Sequence, residues 1–148
     1  YTANVFCIIK IPNHKPKIIK NQCSTIDIFP TIAEIIQHPL ENEFSNVQGE
    51  SLFSLIDNSE NRDVFIETGG LYGPWPSPKK HNIFCIRSNN KKLIYNDIPE
   101  SWEFYDLLND SSEQENIYHE SSDEIKLMKN KLITHMKENN IHTKITLN

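Results

Sequence analysis

Ile83-Phe84-Cys85-Ile86-Arg87-Ser88-Asn89-Asn90-Lys91-Lys92-Leu93-Ile94-Tyr95, with Glu103-Phe104-Tyr105-Asp106-Leu107 a few residues later, decides the fold of this 148-residue chain. Residues 83–87 and 92–95 are rich in β-branched and aromatic side chains. Asn89-Asn90 between them tolerates positive φ, so the three pieces predict two strands joined by a tight hairpin. Residues 103–107 predict a further strand beside them. Downstream, Ile125, Met128, Leu132 and Met136 recur at helical spacing. That helix is expected to run from a cap at Ser121 or Ser122 to about residue 139, with Asp123 and Glu124 in its first turn, where negative charge is favoured.

Working upstream, residues 63–67 predict a short strand, and residues 68–82 a long loop rich in Gly and Pro. Ser51 to Ile56 predicts one or two helical turns, and residues 42–48 a polar loop. Residues 24–38 carry Ile28, Phe29, Ile32, Ile35 and Ile36 at helical spacing, with Asp27 suited to the N-cap and Pro30 to the first turn. Residues 17–20 predict a short extended piece. Residues 4–11 form a near-continuous apolar run, the pattern of a strand covered on both faces. Strand, helix, several antiparallel strands, helix is an α+β order.

The composition bounds the function. A net charge of −5 argues against nucleic acid, which calls for a concentrated basic face. Lys10, Lys15, Lys17 and Lys20 cluster without an acid among them, while residues 97–124 hold many carboxylates and no Lys or Arg. Each reads as a solvated face. Cys7, Cys23 and Cys85 cannot all pair within one chain, and their apolar neighbours predict small buried hydrophobes, which leans towards a reducing, cytoplasmic setting or an unbridged exported protein. No apolar run reaches bilayer length, and no signal peptide precedes the strand-like start. Tyr1 in place of Met suggests a cut or processed boundary.

Three clusters in fixed order carry a family likeness. Ser24-Thr25-Ile26-Asp27-Ile28-Phe29-Pro30-Thr31 resembles the helix start after the last core strand of sulfatases. Gly49-Glu50-Ser51-Leu52 and the strand from Arg62 to Glu67 resemble the elements that come after it. Arg87, Lys92-Leu93-Ile94-Tyr95 and Glu103-Phe104-Tyr105-Asp106-Leu107, with Asp110, Glu113 and Asn116, resemble the closing pattern of the family, although Phe104 replaces the usual Leu and Ser111 a common Pro. The likeness spans about residues 4–117.

The resemblance implies residues 1–40 as the end of a catalytic α/β domain, its last strand and helix, and residues 41–148 as a C-terminal subdomain with a small antiparallel sheet and packing helices. It implies a parent that hydrolyses sulfate esters through a formylglycine and a divalent cation, calcium, acting on a sulfated small molecule or glycan. A phosphodiesterase or a phosphoglycerol or phosphoethanolamine transferase of the same superfamily is the alternative, and a non-catalytic binding or scaffold module a third reading. None of the three cysteines has Pro two and Arg four residues later. Neither a nucleophile nor a metal site is therefore expected in residues 1–148, and this stretch alone is expected not to turn over. Its partner would be the N-terminal catalytic part; without it, residues 4–11 are expected to self-associate.

Other constellations read as structure. The six histidines show no metal-ligand spacing, and His135 reads as a surface or cap residue. Cys85 near His81 lacks a third group to orient a base. Asp106 and Asp110 read as turn and capping acids. The loop 68–82 is the candidate substrate-binding segment. Tyr72 and Trp75 offer ring faces for stacking, and Lys79, Lys80 and His81 offer cations for an anionic ester. A Pro-stiffened surface crossover is the plain alternative.

Overall fold

A computed structural model describes residues 6–12, 14–38, 47–57, 62–69 and 81–147, and the chain divides into two compact units, residues 1–61 and 62–148. The second unit holds β1 (Val64–Gly69), β2 (His81–Ser88), β3 (Lys91–Asn96), β4 (Ser101–Asp106), then the helices α3 (Asp123–Glu138) and α4 (Lys144–Leu147). The first holds a 3-10 turn (Thr25–Asp27), α1 (Ile28–Ile35) and α2 (Leu52–Asp57).

The strands form an antiparallel meander, β1-β2-β3-β4. Asn89 takes φ +51° in the β2–β3 turn, which Asn accommodates at little cost. Both faces of the sheet are buried, so the strands read as apolar runs and not as alternation. One face packs Phe84, Ile86, Leu93, Tyr95 and Phe104 against Ile125, Met128, Leu132 and Met136 of α3, the stripe the spacing predicted. The other carries Cys85, Ile94 and Tyr105. Ser122 caps α3 through its hydroxyl, which accepts from the Ile125 N–H at 3.5 Å. Asp123 and Glu124 lie in the first turn, where the helix dipole favours them.

Lys92 is 3% exposed, yet it sits in a strand. Its ammonium is held by both oxygens of Glu113, at 2.8 and 2.6 Å. Glu113 reaches it because residues 107–118 fold back along β4. The Asp106 carboxylate accepts from the Leu108 N–H (3.1 Å) and the Asn109 amide (2.8 Å), and pairs with Lys91 at 2.9 Å. Asp110 accepts from the N–H groups of Gln114 and Glu115 at 2.7 and 2.8 Å. Asn116 Oδ1 then accepts from the Phe104 and Tyr118 N–H groups, both at 3.0 Å, and the Ile117 N–H donates to the Phe104 carbonyl at 2.9 Å. This seals the β4 edge. Asp106 and Asp110 are thus turn and capping acids, as their positions suggest.

In the first unit the organising residue is Asp27, fully buried. Its carboxylate accepts from the Ser24 N–H (2.6 Å) and from the Glu50 N–H (3.0 Å). Thr31 Oγ1 donates to the Asp27 carbonyl (2.6 Å) and accepts from the Leu52 N–H (2.9 Å). Gly49, at φ +92°, lets the backbone close in: a Cβ there would lie 2.5 Å from the Ile26 carbonyl oxygen. Two of the clusters that carry the family likeness are therefore the two halves of one polar clasp.

Four expectations need correction. Residues 6–11 form no strand: among the described residues no strand pairs with them, and Phe6 and Ile8 are 91% and 86% exposed. An apolar run makes a strand only where a neighbour takes up its N–H and C=O groups. Residues 17–20 likewise form no regular element. The helix over residues 24–38 exists, but it begins as a 3-10 turn, and Ile28, Phe29, Ile32 and Ile36 are exposed while Pro30, Thr31 and Ala33 are buried. Asp27 does stand at the N-cap of α1, but its carboxylate serves the clasp and makes no bond to that helix's first turn. Finally, of the three cysteines Cys85 alone is buried; Cys7 and Cys23 are exposed.

Candidate functional site

Tyr72, Trp75, Lys79 and Lys80 lie outside the described residues. His81 is the first residue of β2, paired with Gly69 at the end of β1, and its backbone alone is described. The structure does define the stem from which the loop 70–80 springs. β1 and β2 pair from Val64↔Arg87 to Thr68↔Ile83, and a register shift between Thr68 and Gly69 precedes the last pair, Gly69↔His81. Such a bulge sharpens the local twist and re-aims the chain beyond it.

α3 clamps this stem. The Phe65 ring stacks face to face on His135, centroids 3.9 Å apart and planes 2° from parallel. His135 Nε2 lies 3.2 Å from Glu67 Oε1, and the Asn139 amide lies 3.3 Å from Nδ1, which suits an imidazole protonated on Nε2. One turn earlier on the helix, Lys131 donates to Asp63 at 2.6 Å, just before β1. His135 is thus a strap between helix and strand. Sequence reading finds no acid near it because Glu67 stands 68 residues away.

A second fastening joins the chain after β4 to the same helix. Lys129 Nζ sits 4.5 Å from the Trp102 ring centre, 5.6 Å from that of Tyr118, and donates to the Tyr118 hydroxyl at 3.1 Å. Tyr95 packs on Trp102 with centroids 4.7 Å apart. The cation over the ring faces ties residues 101–118 to α3.

Burial pushes the Cys85 thiol up to about 12, so it is neither a nucleophile nor a ligand at neutral pH. The Tyr105 hydroxyl donates to Glu103 Oε2 at 2.5 Å, and burial with that bond raises it above the ordinary phenol range. The Lys91 ammonium, with the Asn109 amide, holds Asp106 at about 2. Ser121 Oγ lies 2.7 Å from His119 Nδ1, but both belong to one exposed turn before α3. Among the described residues no group of three or more His, Cys, Asp or Glu is placed to hold a metal ion, and no helix is long and apolar enough to cross a membrane.

Comparison with known proteins gives the arrangement a context. The chain is 34% identical over 79 residues to the N-acetylglucosamine-6-O-sulfatase of Bacteroides thetaiotaomicron, covering 50% of this chain and 14% of that protein. A solved protein in complex with its substrate, D-glucosamine-2-N,6-O-disulfate, superposes with a TM-score of 0.59 at 24% identity, over 75% of this chain and 23% of the other. That likeness shows the fold. The chain thus spans less than a quarter of either relative. Residues 3–141 match the family described as N-sulphoglucosamine sulphohydrolase, C-terminal. With the α+β order, the Asp27 clasp and the sealed β4 edge carrying the three signature clusters, the chain belongs to that family, the C-terminal region of sulfatases.

Proposed function

We propose that this chain serves a hydrolase of sulfated amino sugars by shaping the mouth of its active site, with residues 68–82, the loop 70–80 and the strand ends that flank it, as the substrate rim. The observation that carries the reading is the stem: β1 and β2, braced by Phe65, Glu67 and Asp63 against α3, hold the two ends of the loop in fixed register. A loop on a rigid stem presents side chains with little ordering cost. Tyr72 and Trp75 supply stacking faces, and Lys79, Lys80 and His81 supply cations for the sulfate. The named relatives act on or bind sulfated glucosamine, which supports this substrate class.

In this reading residues 1–40 close the catalytic α/β domain and residues 41–148 form the C-terminal subdomain. The exposed apolar side chains Phe6, Ile8, Ile28, Phe29 and Ile32 face the catalytic part. That part would supply a formylglycine and a calcium ion, the first as the nucleophile towards sulfur and the second to stabilise charge on the transferred group. Trp75→Ala and Lys80→Ala in the full-length enzyme are expected to raise KM for a 6-O-sulfated glucosamine by about tenfold each, with the melting temperature kept. Unchanged kinetics in both variants, or loss of stability without a KM effect, would reject the rim.

A further inference from the structure

At the end of the sheet opposite the Gly69↔His81 pair, the β2–β3 turn, the end of β4 and the first half of α3 line an open cleft of about 470 Å3. β2 has eight residues, so at ~3.3 Å per residue the cleft lies roughly 25 Å from the Gly69↔His81 end of the stem, where the loop 70–80 begins and ends. The volume falls within the ~300–1,000 Å3 typical of small-molecule sites.

The lining selects a class of ligand by elimination. Lys91 is paired with Asp106 at 2.9 Å and Lys131 with Asp63 at 2.6 Å, so both cations already have a counter-charge. Asp106 and Glu124 also line the space, so an inorganic anion would meet carboxylates and a metal ion would meet ammonium groups. What remains is a set of groups that both donate and accept: the Asn89 and Asn90 amides and the Ser88 hydroxyl. Asn89 and Asn90 are exposed. Leu108 and Leu127, 71% and 57% exposed, also line the space and supply its apolar surface. A ligand complementary to this has no net charge, many hydroxyls and one CH-rich face.

We propose that the cleft binds a pyranose ring of a saccharide through its hydroxyls and apolar face, without need of a sulfate. It is an accessory saccharide site of the C-terminal unit, separate from the loop 68–82. It rests on the proposed function for its biological use alone, since binding can be read on this chain without turnover.

The test is a titration of the 15N-labelled chain with N-acetylglucosamine, with its 6-sulfate, and with inorganic sulfate, monitored through backbone amide shifts. Millimolar binding of both sugars is expected, with similar affinity and with shifts centred on Asn89, Asn90, Lys91, Leu108 and Leu127; sulfate alone leaves these amides in place. The double variant Asn89→Gly with Leu127→Ser keeps the turn, because Gly adopts φ +51° freely, and alters an exposed side chain. It is expected to weaken both sugars by about tenfold or more at unchanged melting temperature. No shift at these amides at tens of millimolar sugar would overturn the proposal. So would binding of the sulfated sugar and sulfate but not of the neutral sugar, or undiminished binding by the folded double variant. Failure of the loop variants to change KM would leave this result untouched, so the two readings fail separately.

Discussion

Glu113→Gln, set beside Lys92→Met, tests how the sealed β4 edge is held. The pair is lopsided: the Lys92 side chain is 4% exposed and that of Glu113 is 20%. Removing one partner of a fully buried ion pair costs ~3–5 kcal/mol, because the other charge is left desolvated. Glu113→Gln takes the carboxylate counter-charge from the deeper group while keeping one weak acceptor, so about 2–3 kcal/mol is expected. Lys92→Met leaves a carboxylate that can turn to water and places an apolar chain beside its β4 neighbour Tyr105, so about 1 kcal/mol or less is expected. The double variant should fall short of the sum by roughly 1–2 kcal/mol. Urea unfolding at neutral pH, read by tryptophan fluorescence, covers all four corners. Equal single effects, or strict additivity, would refute the claim that burial of Lys92 is what Glu113 compensates.

Leu132→Ala is expected to destabilise the second unit by about 3–5 kcal/mol, since Leu132 is 1% exposed against the sheet, while Leu127→Ala on the same helix, 57% exposed, should stay within ~0.5 kcal/mol; thermal melts compare them. Cys7 and Cys23 should react with a thiol reagent at once and Cys85 only on unfolding, because its thiol is buried and raised to about 12; a third fast thiol in the native chain would contradict this. Asp106 titrates at about 2 in the folded chain against an ordinary 3.8, a depressed value, so its contribution is complete above ~4 and lost as pH falls towards 2. Asp106→Asn should flatten the melting temperature over that window and lower it at neutral pH; an unchanged acid slope would speak against the Lys91 contact.

The second unit was legible because its signals are local. Apolar β-branched runs, an Asn-Asn turn and one helical stripe each name their own element, and Met128, Leu132 and Met136 point where their spacing says. The first unit was harder. Apolar periodicity reports that Ile28, Phe29 and Ile32 belong to a face, not what covers that face, and here the buried side of α1 is Pro30, Thr31 and Ala33. The clasp around Asp27 depends on pairing Glu50 and Leu52 with residues more than twenty positions earlier, for which no pattern within a window exists. The same distance hid Glu67 from His135 and Glu113 from Lys92. For the candidate site, the stem was readable as two strands, whereas its bracing by α3 was not.

The uneven spacing of the meander has a kinetic consequence. β2 and β3 are joined by two residues and β3 and β4 by four, while β1 reaches β2 only across residues 70–80. Loop-closure entropy therefore favours β2–β3–β4 forming first, with β1 zipping on afterwards through the contacts to His135 and Lys131. The last strand to join is also the first to leave, so amide exchange should report β1 opening well before the other three. A hairpin that can open without the core can also exchange its loop for a longer or shorter one without endangering the fold.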